Sequence, residues 1–449
     1  MFLKGLEKIK KVYFIGIGGV SMSALAKFLS TCGYVVSGSD AQKNEETESL
    51  AFYGVKTYIG TDGDRKDIFS ADAVVYTDAI PPDHAELLRT RSLKKKLFSR
   101  PDLLEIVCKS FPHTVAVAGS HGKTTCTSMC AHVLKSVGVP FTAHIGGEDS
   151  AFGNFYSTGR EYFVTEACEY KRNLLKIQAE AAVLLNIDRD HMECYQDEED
   201  LLDCFRLYAR SAKTAFVCAD DEKCVNLGDF ATFGIRNSLA DYRAIELRAV
   251  GERYSFTVEE YGKALCRIRL KAIGKCNVYN ALAAFAVMRS FGFNEKEIRR
   301  GVESFEAVKR RFERIGAYHG ASFICDYAHH PKEIAATVAT AKGICKGRLF
   351  VVFQPHTYSR TKLLMAEFET VLRQIENLMI YKTFPAREKF DGEGSAETLA
   401  TRLGNCLYSE NVYVLKTWLK KTLREGDMVL FLGAGDIYYA AQYLIKDLR

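Results

Sequence analysis

The chain repeats one order of hydrophobic and polar positions: a short apolar run, a polar or glycine-rich turn, then an amphipathic segment. Short apolar runs bounded by turns are typical of buried strands, and apolar positions three and four residues apart are typical of helices. Strands that alternate with helices predict α/β layers with mostly parallel sheets. Breaks in this pattern divide the chain into three expected α/β domains, over residues 1–104, 105–306 and 307–449. Polar alternation in two segments, 254–258 and 265–270, predicts antiparallel strands at an edge of the middle sheet.

Composition narrows the class of protein. The 449 residues are 47% hydrophobic and 26% charged, with a net charge of +5, which is typical of a globular protein and does not indicate nucleic-acid binding. We find no apolar run near the roughly 18–20 residues of a membrane span and no pattern of a secretory signal. The 14 cysteines are scattered without zinc-binding spacing, so we expect reduced thiols in a cytoplasmic protein.

A glycine turn lies between the first predicted strand and the first predicted helix. It contains Gly16, Gly18, Gly19 and Ser21, and Asp40 ends the next strand. Such glycines let a pyrophosphate approach the backbone at a helix N-terminus, and an acid about 20 residues later is typical of a ribose contact. The turn therefore predicts a bound nucleotide diphosphate, and either a nicotinamide dinucleotide or a UDP-sugar fits the pattern.

The strongest single motif is a phosphate-binding loop between a strand and a helix. Backbone N–H groups of such a loop hold phosphates, Lys123 can reach the terminal phosphates, and Thr124 can bind Mg²⁺. We therefore predict an ATP site. Its residues are Gly119, Ser120, His121, Gly122, Lys123, Thr124 and Thr125.

Two later strands of the middle domain end in metal-binding residues. Glu166 ends one strand, and His191 follows the other. Ligands collect at the carboxyl ends of parallel strands. We therefore expect Glu166 and His191 to meet the phosphates bound by Lys123 and to complete a magnesium site with Thr124.

The third domain has two histidine-rich segments at strand ends, residues 326–331 and 354–360. Adjacent histidines followed by proline are poor core material, because buried imidazoles need partners. Arg310 and Arg311, near the domain junction, could reach a phosphate. These segments predict part of an active site.

Nine motifs, in this order, resemble the Mur ligases of bacterial peptidoglycan synthesis. They lie at residues 16–26, 119–125, 166–170, 186–191, 274–284, 310–313, 326–334, 354–361 and 433–437. The resemblance implies an N-terminal Rossmann-like domain for the UDP end, a central P-loop ATPase-like domain with a mixed sheet, and a C-terminal Rossmann-like domain. It also implies ATP-dependent joining of L-alanine to the carboxylate of UDP-N-acetylmuramate through an acyl phosphate, with release of ADP and phosphate.

The resemblance also assigns roles to residues. The first glycine turn is expected to bind the UDP-substrate, Lys123 to neutralise ATP phosphates, and Thr124, Glu166 and His191 to bind Mg²⁺. The other matched positions are Asn277 and Asn280 near adenine, Arg311 near the ATP phosphates, Asp326 near the ribose, and His329, His356 and Arg360 near the reacting carboxylate and the amino acid.

Three other functions remain possible from the sequence. A nicotinamide dehydrogenase explains the first glycine turn but gives no role to Lys123. A sister ligase that attaches a recycled peptide to UDP-N-acetylmuramate shares the chemistry, and a non-catalytic nucleotide-binding protein shares only the ATP site. We expect small-molecule substrates, no nucleic-acid or membrane partner, and a monomer or homodimer.

Overall fold

The computed structural model describes residues 3–251 and 253–448. The chain divides into two compact units. The first unit contains the chain up to Glu246 with Phe256–Ile268 and Tyr279–Glu306, and the second contains Leu247–Ser255, Arg269–Val278 and the chain from Ala307 onward. In the part of the chain that is described, no helix is both long enough and apolar enough to span a bilayer.

The first sheet has five parallel strands in the order β3-β2-β1-β4-β5. They are β1 (Lys11–Ile15), β2 (Val35–Asp40), β3 (Lys56–Ile59), β4 (Ala73–Tyr76) and β5 (Lys96–Ser99). The helices are α1 (Val20–Thr31), α2 (Glu45–Ser49), α3 (Lys66–Ser70), α4 (Ala85–Ser92) and α5 (Arg100–Cys108), with a 3₁₀ turn at Leu50–Tyr53. Four of the five residues of β1 are buried, as expected for the central strand of a parallel sheet covered on both faces.

The second sheet has ten strands in the order β15-β14-β13-β12-β11-β10-β6-β9-β7-β8. They are β6 (His113–Ala118), β7 (Phe141–Asp149), β8 (Gly153–Ser157), β9 (Tyr162–Glu166), β10 (Ala181–Leu184), β11 (Thr214–Cys218), β12 (Ala231–Gly234), β13 (Tyr242–Val250), β14 (Arg253–Glu260) and β15 (Lys263–Ile273). The helices are α6 (Lys123–Val137), α7 (Glu198–Ser211), α8 (Glu222–Val225), α9 (Cys276–Ser290) and α10 (Glu295–Ser304), with 3₁₀ turns at Tyr170–Lys176 and Met192–Cys194. The strands from β11 to β7 pair in parallel, whereas β8 is antiparallel to β7.

The third sheet has six strands in the order β16-β17-β21-β18-β19-β20, and only β16 runs antiparallel to its neighbour. They are β16 (Glu313–Tyr318), β17 (Ala321–Asp326), β18 (Leu349–Phe353), β19 (Asn377–Tyr381), β20 (Leu407–Ser409) and β21 (Met428–Leu432). The helices are α11 (Pro331–Ile344), α12 (Tyr358–Leu363), α13 (Met365–Leu372), α14 (Ala396–Leu403), α15 (Val412–Thr422) and α16 (Ile437–Leu448), with a 3₁₀ turn at Gly392–Gly394. Buried apolar clusters cover both faces of this sheet.

The α/β class, the three sheets and the mixed central sheet agree with the sequence prediction. The two segments predicted as edge strands are β14 and β15, which lie at one end of the ten-stranded sheet. The domain boundaries near residues 104 and 306 stay predictions, and residue 104 lies inside α5.

A buried polar cluster, here called the Lys27 cluster, joins α1 to β8 within the first unit. Lys27 Nζ donates to Asn154 Oδ1 at 2.6 Å and lies 3.6 Å from Glu46 Oε2. Asn154 Nδ2 and the Ser23 hydroxyl donate to the same Glu46 oxygen at 2.8 and 3.0 Å. Because these partners satisfy one another, the cluster fixes α1, whose N-terminus follows the first glycine turn, against the central sheet.

Candidate active site

The phosphate-binding loop connects β6 to α6 and needs glycine at two positions. Gly119 and Gly122 have φ of +129° and +86°, in the left-handed region that favours glycine. A Cβ on Gly122 would lie 2.6 Å from Asn280 Oδ1, and one on Gly119 would lie 3.1 Å from backbone atoms of Asn186. Asn280, expected near adenine, therefore packs directly against the loop.

Hydrogen bonds from the end of β10 hold the loop. Ser120 N–H donates to Asn186 O at 3.1 Å, and His121 N–H donates to Asn186 Oδ1 at 2.8 Å. Asp188 N–H donates to Ser120 Oγ at 2.8 Å, and His121 Nε2 lies 2.9 Å from Asp188 Oδ2. Ser120 and His121 thus shape the loop through contacts with the neighbouring strand end.

Lys123 begins α6, and its ammonium group is already paired. Its Nζ donates to Gly119 O at 2.5 Å, to Ser120 O at 3.2 Å and to both carboxylate oxygens of Glu169 at 3.0 Å. Burial acts to lower the pKa of Lys123, but nearby negative groups, Glu169 first among them and Glu166 as well, together outweigh it and hold that pKa above its usual value. Lys123 is therefore a fixed positive charge at the loop.

Side chains that could hold a metal ion lie near this lysine. Glu166 ends β9, and its Oε1 accepts from Gly146 N–H at 2.7 Å. Glu169, Asp190 and His191 each offer a ligand atom, and these atoms lie within 4.8 Å of one another. Thr124 and Thr125, in the first turn of α6, are buried. Carboxylates and a hydroxyl are donors that Mg²⁺ prefers, so the donor set fits this ion.

The grouping differs in part from the one expected. The sequence prediction chose Thr124, Glu166 and His191 and did not include Glu169 or Asp190, although both lie beside predicted ligands. His191 has φ of +56° and its Nδ1 lies 3.4 Å from Glu193 Oε1. The sequence did contain a signal for these two ligands, because Glu169 lies close to Glu166 and Asp190 is next to His191.

The first glycine turn is held by Asp40. Gly16 has φ of +79°, and its N–H donates to Ser39 O at 2.8 Å. Gly18 N–H donates to Asp40 Oδ2 at 2.8 Å, and Gln42 N–H donates to Asp40 Oδ1 at 3.2 Å. A Cβ on Gly18 would lie 2.9 Å from Asp40 Oδ2. Asp40 was expected to contact a ribose, but both of its oxygens here accept backbone N–H groups.

The start of α1 follows directly on this turn. Gly19 is the N-cap, and no acidic residue occupies the first helical turn, so its partial positive charge is available to an anion. Ser21, in that turn, lies 2.9 Å through its Oγ from His144 Nε2 and accepts from Arg100 Nη1 at 3.3 Å. These two partners were not identified from the sequence.

In the second unit, Asp326 ends β17 as predicted. Its Oδ2 accepts from Phe312 N–H at 2.7 Å and its Oδ1 from Ala328 N–H at 2.8 Å. Burial raises the pKa of Asp326, and the nearby Arg311 charge opposes that rise. Asn277, in the same unit, donates through Nδ2 to Ile273 O at 2.7 Å.

The two histidine-rich segments meet within this unit. The ring centres of His329 and His356 are 5.7 Å apart, and His356 stacks on Phe384 at 5.5 Å. Arg360 Nη1 donates to His356 Nδ1 at 3.0 Å and to His356 O at 3.2 Å. His329 Nδ1 lies 2.9 Å from Tyr327 O. Arg360, His356 and His329 thus form one group, and their role near the reacting carboxylate and the amino acid, which the family resemblance implies, stays a prediction.

Three family models match the chain. "Mur ligase family, catalytic domain" matches residues 11–112, "Mur ligase middle domain" matches residues 117–288, and "Mur ligase, glutamate ligase domain" matches residues 310–435. Together these matches cover nearly all of the three sheets and of the motifs described above.

Individual relatives extend this likeness to nearly the full length. The chain is 37% identical to the UDP-N-acetylmuramate–L-alanine ligase of Acetivibrio thermocellus, over 98% of this chain and 97% of that one. Among solved structures it is similar to the UDP-N-acetylmuramate–alanine ligase of Thermotoga maritima, with a TM-score of 0.83, 27% identity and coverage of 97% and 98%. A murein peptide ligase of Psychrobacter arcticus shares the fold, with a TM-score of 0.76 at 22% identity and 98% coverage of each chain. With its loop, its carboxylates and this full-length similarity, the chain belongs to the Mur ligase family.

Proposed function

We propose that this protein joins L-alanine to the carboxylate of UDP-N-acetylmuramate in peptidoglycan precursor synthesis. Mur ligases use ATP to form amide bonds. The relatives that match at 37% identity are named UDP-N-acetylmuramate–L-alanine ligases. The observation that carries the proposal is Lys123, held at a phosphate-binding loop among carboxylates in a chain of this family. ATP and UDP-linked sugars are cytoplasmic metabolites, so the proposal places the reaction in the cytoplasm.

The chemistry follows from the weakness of a carboxylate as an electrophile. A carboxylate oxygen of UDP-N-acetylmuramate attacks the γ-phosphorus of ATP, the bond to the leaving oxygen breaks, and ADP departs with that electron pair. The alanine nitrogen then attacks the acyl carbon, forming the C–N bond while the C–O bond to phosphate breaks. Lys123 would stabilise the charge on the transferring phosphoryl group.

We assign the magnesium ligands to Thr124, Glu166 and His191, with Glu169 and Asp190 close enough to share the role. The bound ion would supply neutralisation of phosphate charge. What the chain itself does is hold these oxygens and nitrogens in place: Gly146 N–H fixes Glu166 Oε1 at 2.7 Å, so the carboxylate is oriented before any ligand arrives.

The nucleotide-binding roles are assigned within each unit separately. In the first unit, residues 119–125 would bind the phosphates and Asn280 would lie near adenine. In the second unit, Asn277 would lie near adenine, Arg311 near the phosphates, and Asp326 near the ribose. The positions of Asp326 at a strand end and of Asn280 against Gly122 support this assignment.

The amino-acid end is assigned to the group of His329, His356 and Arg360. Arg360 carries the positive charge that a carboxylate requires. The amine must lose a proton to attack. When neutral His329 donates from Nδ1 to Tyr327 O, its Nε2 has the lone pair that can accept a proton, and we assign His329 this role.

The UDP end is assigned to the first glycine turn. Gly16, Gly18 and Gly19 bring the backbone close to a diphosphate, and the α1 N-terminus attracts its charge. Asp40 would act indirectly, because it fixes Gly18. Ser21 would contribute its backbone and its place at the start of α1.

The test is phosphate release from ATP with Mg²⁺, UDP-N-acetylmuramate and L-alanine, with each component omitted in turn. We expect release only when all four are present, together with a product heavier by one alanine residue in mass spectrometry. Release with a murein peptide in place of alanine would assign the recycling reaction instead. NAD binding without phosphate release would refute the ligase proposal.

A further inference from the structure

A chain of buried and partly buried hydrogen bonds runs from α1, which follows the first glycine turn, to the strand that carries Glu166. His144, on β7, is 5% exposed. Its Nε2 lies 2.9 Å from Ser21 Oγ, which also accepts from Arg100 Nη1 at 3.3 Å. Its Nδ1 lies 2.7 Å from Thr165 Oγ1, and that hydroxyl donates to Glu166 O at 3.3 Å.

Both ring nitrogens of His144 have a hydroxyl partner, and burial and the Arg100 charge lower the pKa of His144 to about 4. In the neutral imidazole one nitrogen donates and the other accepts. Either tautomer keeps both bonds, because the Ser21 and Thr165 hydroxyls can each donate or accept.

Packing alone would not require a histidine at this position. His144 lies opposite Phe155 of the neighbouring strand β8 and stacks on Phe163, with 6.4 Å between the ring centres. These aromatic neighbours would accept an apolar side chain. A buried imidazole costs free energy unless both nitrogens are bonded. Both are bonded here, and one of the two bonds reaches α1, the helix that follows the first strand of the first sheet. The imidazole therefore serves to fix the relative position of the elements that it hydrogen-bonds, and not merely to fill space in the core.

We infer that His144 is a positioning residue for the UDP-linked substrate, which sets the first turn of α1 relative to the β9 strand that ends at Glu166. The inference rests on the proposed function, since that assigns the turn to the UDP end.

Two substitutions of His144 separate its two bonds. An asparagine amide can replace Nδ1 toward Thr165 but is too short to reach Ser21. A glutamine amide can reach the position of Nε2. We therefore expect H144N to raise the KM for UDP-N-acetylmuramate about five- to tenfold, the loss of roughly one net hydrogen bond. H144Q should stay nearer to wild type, and the KM for ATP should change by less than about twofold in both.

Two further variants make the test specific. S21A removes the same bond from the other side together with the Arg100 contact, so the double variant S21A/H144N should raise this KM no more than S21A alone. His132 provides the matched control, because it is also 5% exposed and also bonded on both nitrogens, to Asp149 and Ser304. H132N should leave the KM for UDP-N-acetylmuramate unchanged.

The measurement is steady-state phosphate release with each substrate varied, on full-length protein checked by circular dichroism. An unchanged KM in H144N, additive effects in the double variant, or an equal rise in H132N would each overturn the inference. If H144N does not fold, H144Q and S21A decide it, since only S21A should then raise the KM. A wild-type protein without UDP-N-acetylmuramate-dependent release would refute the proposed function and this inference with it, whereas an active wild type with an unchanged S21A would refute this inference alone.

Discussion

Replacing Lys27 with methionine tests whether the Lys27 cluster joins the first and second sheets. The side chains of Lys27 and Glu46 are only 6% and 9% exposed. Methionine keeps most of the side-chain volume and removes the charge, so the packing of α1 is retained. The change therefore isolates the electrostatic part of the cluster.

The structure sets the size of the effect. At 3.6 Å and an effective dielectric constant of about 20, the attraction between the two charges is about 5 kcal/mol. Removing one partner of a buried pair costs about 3–5 kcal/mol because the other charge is left uncompensated. Ser23 and Asn154 still donate to Glu46 Oε2, so we expect the lower end, about 3 kcal/mol.

The loss should depend on pH in a defined direction. Burial raises the pKa of Glu46, and Lys27 opposes that rise. In K27M the folded-state pKa rises further above the unfolded value of about 4.3. The folded state then binds the proton more tightly than the unfolded state, so the loss is absent below the unfolded pKa and grows as pH increases through the interval up to the folded pKa. K27M should be less destabilised at pH 5 than at pH 8.

Hydrogen exchange of the α1 amides measures this loss locally. A loss of about 3 kcal/mol makes exchange faster by about two orders of magnitude. The double variant K27M/E46Q should recover more than half of it, because no buried charge remains. K66M, at an exposed lysine of α3, is the matched control and should exchange as wild type. Exchange in K27M within about threefold of wild type at pH 8, or no recovery on adding E46Q, would refute the reasoning.

Four other outcomes are expected. Lys123→Met should abolish phosphate release with an unchanged circular dichroism spectrum, and release within about tenfold of wild type would contradict the ATP-site assignment. Gly18→Ala should raise the KM for UDP-N-acetylmuramate about tenfold without affecting the KM for ATP, because the added Cβ displaces the Asp40 carboxylate that holds the turn. A KM for UDP-N-acetylmuramate equal to that of wild type would contradict this. EDTA should stop phosphate release and MgCl₂ restore it, with His191→Ala needing more Mg²⁺ than wild type; a metal-independent rate would exclude the assigned ligands. Thr357→Gly should stabilise the second unit by about 1 kcal/mol, because a threonine at φ of +66° is strained and the replacement removes only a modest helix cap. The fluorescence of Trp418, the single tryptophan, reports the unfolding of this unit.

Local chemistry made the phosphate-binding loop predictable. Gly119 and Gly122 need positive φ, and Lys123 follows them at the helix start, so consecutive residues carry the whole signal. The three sheets were predictable for a similar reason, because buried parallel strands are recognisable as short apolar runs between turns.

Contacts between residues far apart in the chain were not predictable in the same way. The sequence has acids at Glu166 and Glu169, but only the folded structure shows that Glu169 pairs with Lys123. Asp40 has the spacing of a ribose ligand, yet it binds the backbone of Gly18. His144 is a polar residue in an apolar strand, and its partner Ser21 is 123 positions away. Side-chain direction and long-range pairing decide these cases.

The pairing of Lys123 with Glu169 has a consequence for ligand selection. A phosphate that takes the place of Glu169 on Lys123 must separate an existing ion pair in which both oxygens of Glu169 take part. A singly charged anion only exchanges one such pair for another and gains little, while a triphosphate brings enough charge to replace Glu169 and to attract a cation that the released carboxylate can bind. The loop therefore discriminates by charge, and common buffer anions should be poor competitors of the nucleotide.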